Sequence, residues 1–275
     1  MYRKGINMNQ NEFEDANQRM WDELAPVHYK SYGLDRLRRG ETLLEDIQLA
    51  EVGEVRGKSL LHLQCHIGSD TLSWALRGAE VVGVDFSGQS IEFARRLADE
   101  LKLKAEFVHS NIYDIEKHLN RQFDIVYTSQ GVLCWLKDIK EWARLIARYL
   151  KPGGLFYIME SHPIQNVFNN IKSGPLEIIY PYFHREQPTK WDDNKPDYSD
   201  STFIYNKPSY EWIWTLSDIV NSLISAGLII ESLNEYDKAF DQIFPDMVRD
   251  SDGWWYYPDY RGKLPLIFTL RAIKK

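Results

Sequence analysis

The chain has 275 residues, is 44% hydrophobic and carries a formal net charge of -7 with a sequence pI near 5.6. That length and apolar share suffice for one large core, and the acidic balance argues against a broad nucleic-acid footprint, because phosphate binding wants a basic face. No run of about 18 or more apolar residues is present, so no membrane-spanning helix is expected. The first residues, MYRKGINMNQNEFEDANQ, lack the apolar centre of a signal peptide, so the cytoplasm is the expected location. Cys65 and Cys134 make no metal-spaced pair, and small buried apolar roles are expected for both.

In chain order, residues 1–50 precede any strand pattern. Asn11 to Tyr32 carries Phe13, Met20, Trp21, Leu24, His28, Tyr29 and Tyr32, and leucines recur at helical spacing from Leu34 to Ala50, so two helices are predicted.

Leu60 to Asp85 is the organising stretch. Leu60, Leu61 and Leu63 read as a buried parallel strand; Gly68 allows a close turn into a helix through Leu72, Trp74, Ala75 and Leu76; Val81, Val82 and Val84 form the next strand. Asp85 then falls at a strand's carboxyl end, where open parallel sheets bind ligands. A carboxylate there can accept hydrogen bonds from both hydroxyls of a ribose, and Phe86 offers an apolar face for a base. Ser87 is a predicted cap for the helix through Ile91, Phe93, Ala94, Leu97 and Leu101. Phe107 and Val108 give a third strand, Phe123 to Thr128 a fourth, KDIKEWARLIARYL an amphipathic helix, and LFYIME a fifth strand after the turn at KPGG.

Residues 161–214 break this alternation. They are rich in Pro, Asn, Asp and aromatics, too long for a simple connection and too apolar at Ile178, Ile179, Tyr180, Tyr182 and Phe183 for a solvated linker, so an inserted cap with short strands is expected. Tyr210, Trp212 and Trp214 alternate on one face of such a strand. Thr215 and Asp218 read as a capping box for a helix from Leu216 to Ala226, ended by Gly227. LIIESLNEY and PLIFTLRAIKK form a final pair of strands, and between them Trp254, Trp255, Tyr256 and Tyr257 line a substrate mouth, make a subunit contact in a homodimer, or pack the hairpin.

LHLQCHIG, FVHSNIYDI, FDIVYTSQGVLCWL and ARLIARYLKPGGLFYI, in that order over about a hundred residues, resemble the class I S-adenosylmethionine-dependent methyltransferases. The resemblance extends to a bacterial subfamily with LHLQCHIG and GVLCWL motifs. It implies a doubly wound, seven-stranded Rossmann-like α/β sheet, with residues 1–50 as a helical lid and 51–275 as the methyltransferase domain carrying the cap at about 161–214. In the first loop the family has an acid and three alternate glycines; here those places hold His62, Gln64, His66 and Gly68, so the cofactor tail must be held differently. The implied contacts with S-adenosyl-L-methionine are Gln64, His66, Gly68 and Asp70 at the methionine end, Asp85 at the ribose, Phe86, Asn111 and Ile112 at the adenine, and Ser129 and Gln130 beneath the methyl group. Trp21, Tyr29, Trp135, Tyr182, His184 and Trp212 are the expected substrate contacts. His162 is the first choice of general base, ahead of His184, with Tyr198 and Asp200 behind them, because imidazole suits proton removal near neutral pH. No metal ligand set has supporting spacing. The expected reaction is in-line methyl transfer to oxygen, nitrogen or carbon of a small molecule. The two alternatives are a nucleoside-binding protein without catalysis and an NAD-dependent oxidoreductase, the latter wanting three spaced glycines in the first loop.

Overall fold

The computed structural model describes residues 10–192, 194 and 196–275, so the expected lid and cap both include positions outside the described residues. Helix α1 (Gln10–Ser31) is followed by the short α2 (Asp35–Arg38) and α3 (Asp46–Val52). The second N-terminal helix expected over 34–50 is therefore two pieces. Gly40, at φ 80°, turns the chain between them in a conformation that glycine adopts without penalty.

Alternating strands and helices follow: β1 (Ser59–Leu63), α4 (Ser69–Leu76), β2 (Glu80–Asp85), α5 (Gly88–Leu101), β3 (Ala105–His109), β4 (Phe123–Thr128), α6 (Ile139–Tyr149) and β5 (Leu150–Ser161). Residues after β5 contain two short strands, β6 (Thr189–Trp191) and β7 (Ser209–Glu211), paired antiparallel. Then come α7 (Leu216–Ser225), β8 (Leu228–Tyr236), the small pair β9 (Val248–Arg249) and β10 (Trp255–Tyr256), and β11 (Ile267–Lys274).

The main sheet has seven strands in the order β3-β2-β1-β4-β5-β11-β8. Strands β1 to β5 are parallel, whereas β11 is antiparallel to both β5 and β8. Both sheet faces are covered, which is why the central strands read as apolar runs. One face packs α6 and α7 through Trp142, Leu145, Ile146, Ile219 and Leu223; the other packs α4 and α5 through Leu72, Ile91, Ala94 and Leu97. Helix ends form as their sequences dictate. Ser87 Oγ accepts from Ser90 N at 3.0 Å, and Thr215 and Asp218 make the reciprocal capping box.

Strand order reverses between β1 and β4. The chain leaves β1 toward β2 on one side, while β4 lies on the other, and the loops beyond their carboxyl ends splay apart. That crevice is where the sheet can hold a ligand.

Candidate active site

A cleft of about 840 Å³ opens at this reversal, walled by the loops after β1, β2, β3 and β4, by α1, and by residues 198–199 of the insertion. Its floor is the β1 loop. Gln64 and His66 stand at φ 59° and 49°, left-handed conformations that glycine would adopt freely. They persist because the surroundings fix them: the His66 N–H donates to Asp85 Oδ2 at 2.8 Å, and Gln64 Nε2 donates to the Val132 carbonyl at 3.2 Å. Gln64 Oε1 is buried without a protein partner, so the floor carries an acceptor in need of a donor.

Asp85 is 6% exposed on the wall, and its second oxygen accepts from Ser87 N at 2.8 Å. Burial pushes its carboxyl up to about 6 even against these two backbone donors. Asp70, half-buried in the first turn of α4, is likewise pushed up to about 6 by burial, although the Tyr127 hydroxyl donates to it at 3.1 Å. Neither acid has a cationic partner among the described contacts. A buried carboxylate without a countercharge is costly to the fold, which is the usual signature of a site kept for a ligand.

The positions expected to hold the adenine end are arranged differently from expectation. Asn111 caps a short 3-10 helix, its Oδ1 accepting from Tyr113 N at 3.1 Å, while its Nδ2 donates to Glu14 Oε1 at 3.0 Å. Glu14, from α1, also pairs with Lys137 and faces the cleft beside Phe86 and Ile112. Asn111 is thus tied to an acid 97 residues away in the chain. Beneath the opposite wall, Ser129 Oγ meets His62 Nε2 at 3.0 Å, and Gln130 is on the surface of the cleft. Glu160, buried at the end of β5, accepts the N–H groups of Gly131, Val132, Leu133 and Ser161 and so fixes the loop that forms that wall. Glu14 and Glu160 gave no signal in the sequence, since each acts on a loop remote in the chain.

Of the expected substrate contacts, Trp21 and Trp135 reach the cleft and meet edge to face at 5.5 Å. The other four lie elsewhere. Tyr29 packs on Phe93 and donates to Glu100 at 3.0 Å on the outer side of α1. Tyr182 lies against α7 at the Leu216 N–H, His184 stacks on Trp214 at 3.9 Å and hydrogen-bonds the Ile213 carbonyl, and Trp212 is buried against Phe13. For Trp212 the reason is that the hairpin of β6 and β7 docks on α1, where Asn17 exchanges two hydrogen bonds with the Tyr210 backbone.

His162 is also outside the cleft. It is 5% exposed, its Nδ1 accepts from Ile164 N at 3.1 Å as a helix cap, its Nε2 lies 2.8 Å from Glu235, and its ring meets Phe268. Burial lowers its pKa despite Glu235. The two histidines that do wall the cleft have both ring nitrogens engaged: His62 with Thr71 and Ser129, His66 with Ser90 and His28. Burial lowers His62 to about 3 and holds His66 well down, so neither accepts a proton readily at neutral pH. It follows that the His66 ring does not offer a spare donor to a cofactor carboxylate. Gly68 does not wall the cleft either. A Cβ there would sit 2.9 Å from Ala94 Cβ and from the Phe107 ring, so this glycine serves the close approach of the α4 turn to α5 and β3. Trp254 to Tyr257 pack the β9 and β10 hairpin and the region beside it.

A family model described as a methyltransferase domain matches residues 61–156, which cover most of β1 to β5 and the loops after β1, β2, β3 and β4 that wall this cleft. Ubiquinone biosynthesis O-methyltransferase of Vibrio vulnificus (strain YJ016) is 31% identical over 183 residues, covering 64% of this chain and 70% of that protein. The chain belongs to the class I S-adenosylmethionine-dependent methyltransferases. The protein of the same name from Bordetella pertussis is 29% identical over 159 residues, 54% of this chain and 60% of that one. Among solved structures, an S-adenosylmethionine-dependent methyltransferase from Mesorhizobium loti superposes with a TM-score of 0.58 at 21% identity, covering 83% of this chain and 96% of that one. One from Clostridium acetobutylicum gives 0.57 at 15% identity, covering 93% and 99%. These two likenesses concern the fold.

The enzyme is therefore a methyltransferase whose cofactor is S-adenosylmethionine. The cleft fits that group on its own terms. Among the described residues, Gln64 Oε1 has no donor and Asp70 and Asp85 have no countercharge, and all three residues line a cavity large enough for a charged nucleoside.

Proposed function

We propose that the cleft holds the cofactor along the ends of β1, β2, β3 and β4 and transfers its methyl group to a hydroxyl oxygen of a small molecule. When bound, S-adenosylmethionine supplies an electrophilic methyl on a sulfonium leaving group. In this reading Asp85 accepts from the ribose hydroxyls, Glu14 and Asn111 face the adenine amino edge with Phe86 and Ile112 on the ring, and Asp70 and the free Gln64 oxygen accept from the cofactor's ammonium group. Ser129 and Gln130 lie beneath the reacting atoms.

The observation that carries the small-molecule reading is the size of the cleft. Its 840 Å³ lies within the range of about 300–1,000 Å³ typical of small-molecule sites, and its lining joins the aromatic faces of Trp21 and Trp135 to many polar side chains. The choice of oxygen is supported by the relatives named as O-methyltransferases. Alignment of acceptor and methyl group is the main contribution of such a site, since both cleft imidazoles are spent on protein contacts. We place α1 and residues 197–199 as the cover of the site. The reading is tested by supplying methyl-labelled S-adenosylmethionine with matched panels of phenols, alcohols, amines and thiols. Label should pass to hydroxyl-bearing members; transfer confined to amines or thiols would refute the choice of oxygen.

A further inference from the structure

A buried polar chain runs from the insertion to the β1 loop. The Asp197 carboxylate lies 3.2 Å from His28 Nε2; His28 Nδ1 lies 2.8 Å from His66 Nε2; His66 Nδ1 lies 2.8 Å from Ser90 Oγ. Its direction follows from donor chemistry. An ionised carboxylate only accepts, so His28 donates to it through Nε2–H; with a neutral His28 ring, Nδ1 accepts from His66 Nε2–H, and His66 Nδ1 accepts the Ser90 hydroxyl. His28 is completely buried, stacks on Tyr32 at 4.6 Å, and Tyr32 meets the hydroxyl of Tyr198 beside Asp197. Breaking the chain at His28 would leave a ring nitrogen of His66 buried and unpaired.

We infer that His28 is a positioning residue that ties the insertion at Asp197 to the loop held by Asp85, so that cofactor binding and seating of the insertion strengthen each other. The inference rests on the cofactor placement proposed above. His66 is the joint: its backbone N–H is fixed by Asp85, its ring by Ser90 and His28, and its φ of 49° is one a histidine seldom keeps without such restraint. Coupling through a shared joint is reciprocal, so a change at the insertion end must appear in cofactor affinity.

The test is calorimetric titration with S-adenosylhomocysteine, with hydrogen exchange followed over residues 196–204, in the wild type, His28→Leu, His28→Gln and Asp197→Ala. A glutamine amide can replace both ring nitrogens, its oxygen accepting from His66 and its nitrogen donating to Asp197. Binding should slow exchange over 196–204 in the wild type and in His28→Gln. His28→Leu and Asp197→Ala should bind about tenfold more weakly and lose that slowing. Affinities within about twofold of wild type in both, or a glutamine variant as weak as the leucine one, would overturn the relay. Should His28→Leu fail to fold, Asp197→Ala at the other end decides. Failure of the wild type to bind S-adenosylhomocysteine overturns the cofactor placement and the relay together, whereas wild-type binding with unaffected variants overturns the relay alone.

Discussion

The substitution Asp85→Asn separates what this residue does for the fold from what it does for the ligand. A carboxyl that titrates near 6 instead of the ordinary 3.8 carries about 3 kcal/mol against its charged form at pH 7. A neutral amide in its place would remove that burden. It would also lose one of the two charge-assisted bonds from His66 N and Ser87 N, because an amide has one acceptor oxygen, at a cost of about 1.5–3 kcal/mol. The two effects largely cancel, so the stability of the cofactor-free protein should rise by about 1.5 kcal/mol or less. Ligand binding has no such compensation. Two ribose hydroxyls would lose a charged acceptor, and S-adenosylhomocysteine affinity should fall by about 1.5–3 kcal/mol, or roughly 10- to 100-fold. Urea denaturation and calorimetric titration of the same preparation give both numbers. Unchanged affinity would refute the ribose assignment, and a destabilisation above about 3 kcal/mol would show that the backbone bonds, not the ligand, explain the acid.

Further outcomes follow from the same geometry. Gly68→Ala must fit a Cβ 2.9 Å from Ala94 and Phe107 at φ 76°, so it should cost about 2–4 kcal/mol in urea denaturation; a loss under about 1 kcal/mol would show that this contact is not tight. His162→Gln should leave methyl transfer and S-adenosylhomocysteine affinity near wild type, and a collapse of turnover with intact binding would restore it as a base. For Asp70 and Asp85 the folded pKa lies above the unfolded one, so the folded state holds the extra protons. Stability of the cofactor-free protein from these groups is therefore highest below about pH 4 and is lost as the pH rises through about 6, while affinity for the cationic S-adenosylmethionine should increase over about pH 5–7 as both ionise. Affinity that is flat over this range would contradict their placement around the ligand.

The sheet was legible because its signals are local. Apolar runs of the right length mark β1, β2 and β4; Ser87, Thr215 and Asp218 cap helices within a few residues of themselves; and Asp85 is found by counting to the end of a strand. The second N-terminal helix was misread because leucine spacing continues across Gly40 while the backbone does not. Most of the residues that reach the cleft from α1 and the insertion were not legible. Tyr29 and Trp212 belong to aromatic patterns that fit a pocket wall as well as a packing face, and only long-range contacts decide: Tyr29 packs on Phe93 of α5, and the docking of β7 on α1 through Asn17 buries Trp212. The same holds for polar residues. Glu14, His28 and Asp197 acquire their roles from partners 97, 38 and 169 positions away, and no local pattern announces such pairings. Asn111 shows the converse, since its place in the third-strand segment was read correctly but its amide is spent on a turn and on Glu14.

The most direct test of the account is a calorimetric titration of the purified wild-type protein with S-adenosylmethionine, S-adenosylhomocysteine and NAD in parallel. The structure predicts binding of the two sulfur nucleosides in the micromolar range, about 8 kcal/mol, and none of NAD. Binding of NAD, or of none of the three, would contradict the assignment of Asp85, Asp70 and Gln64 to the methyl donor.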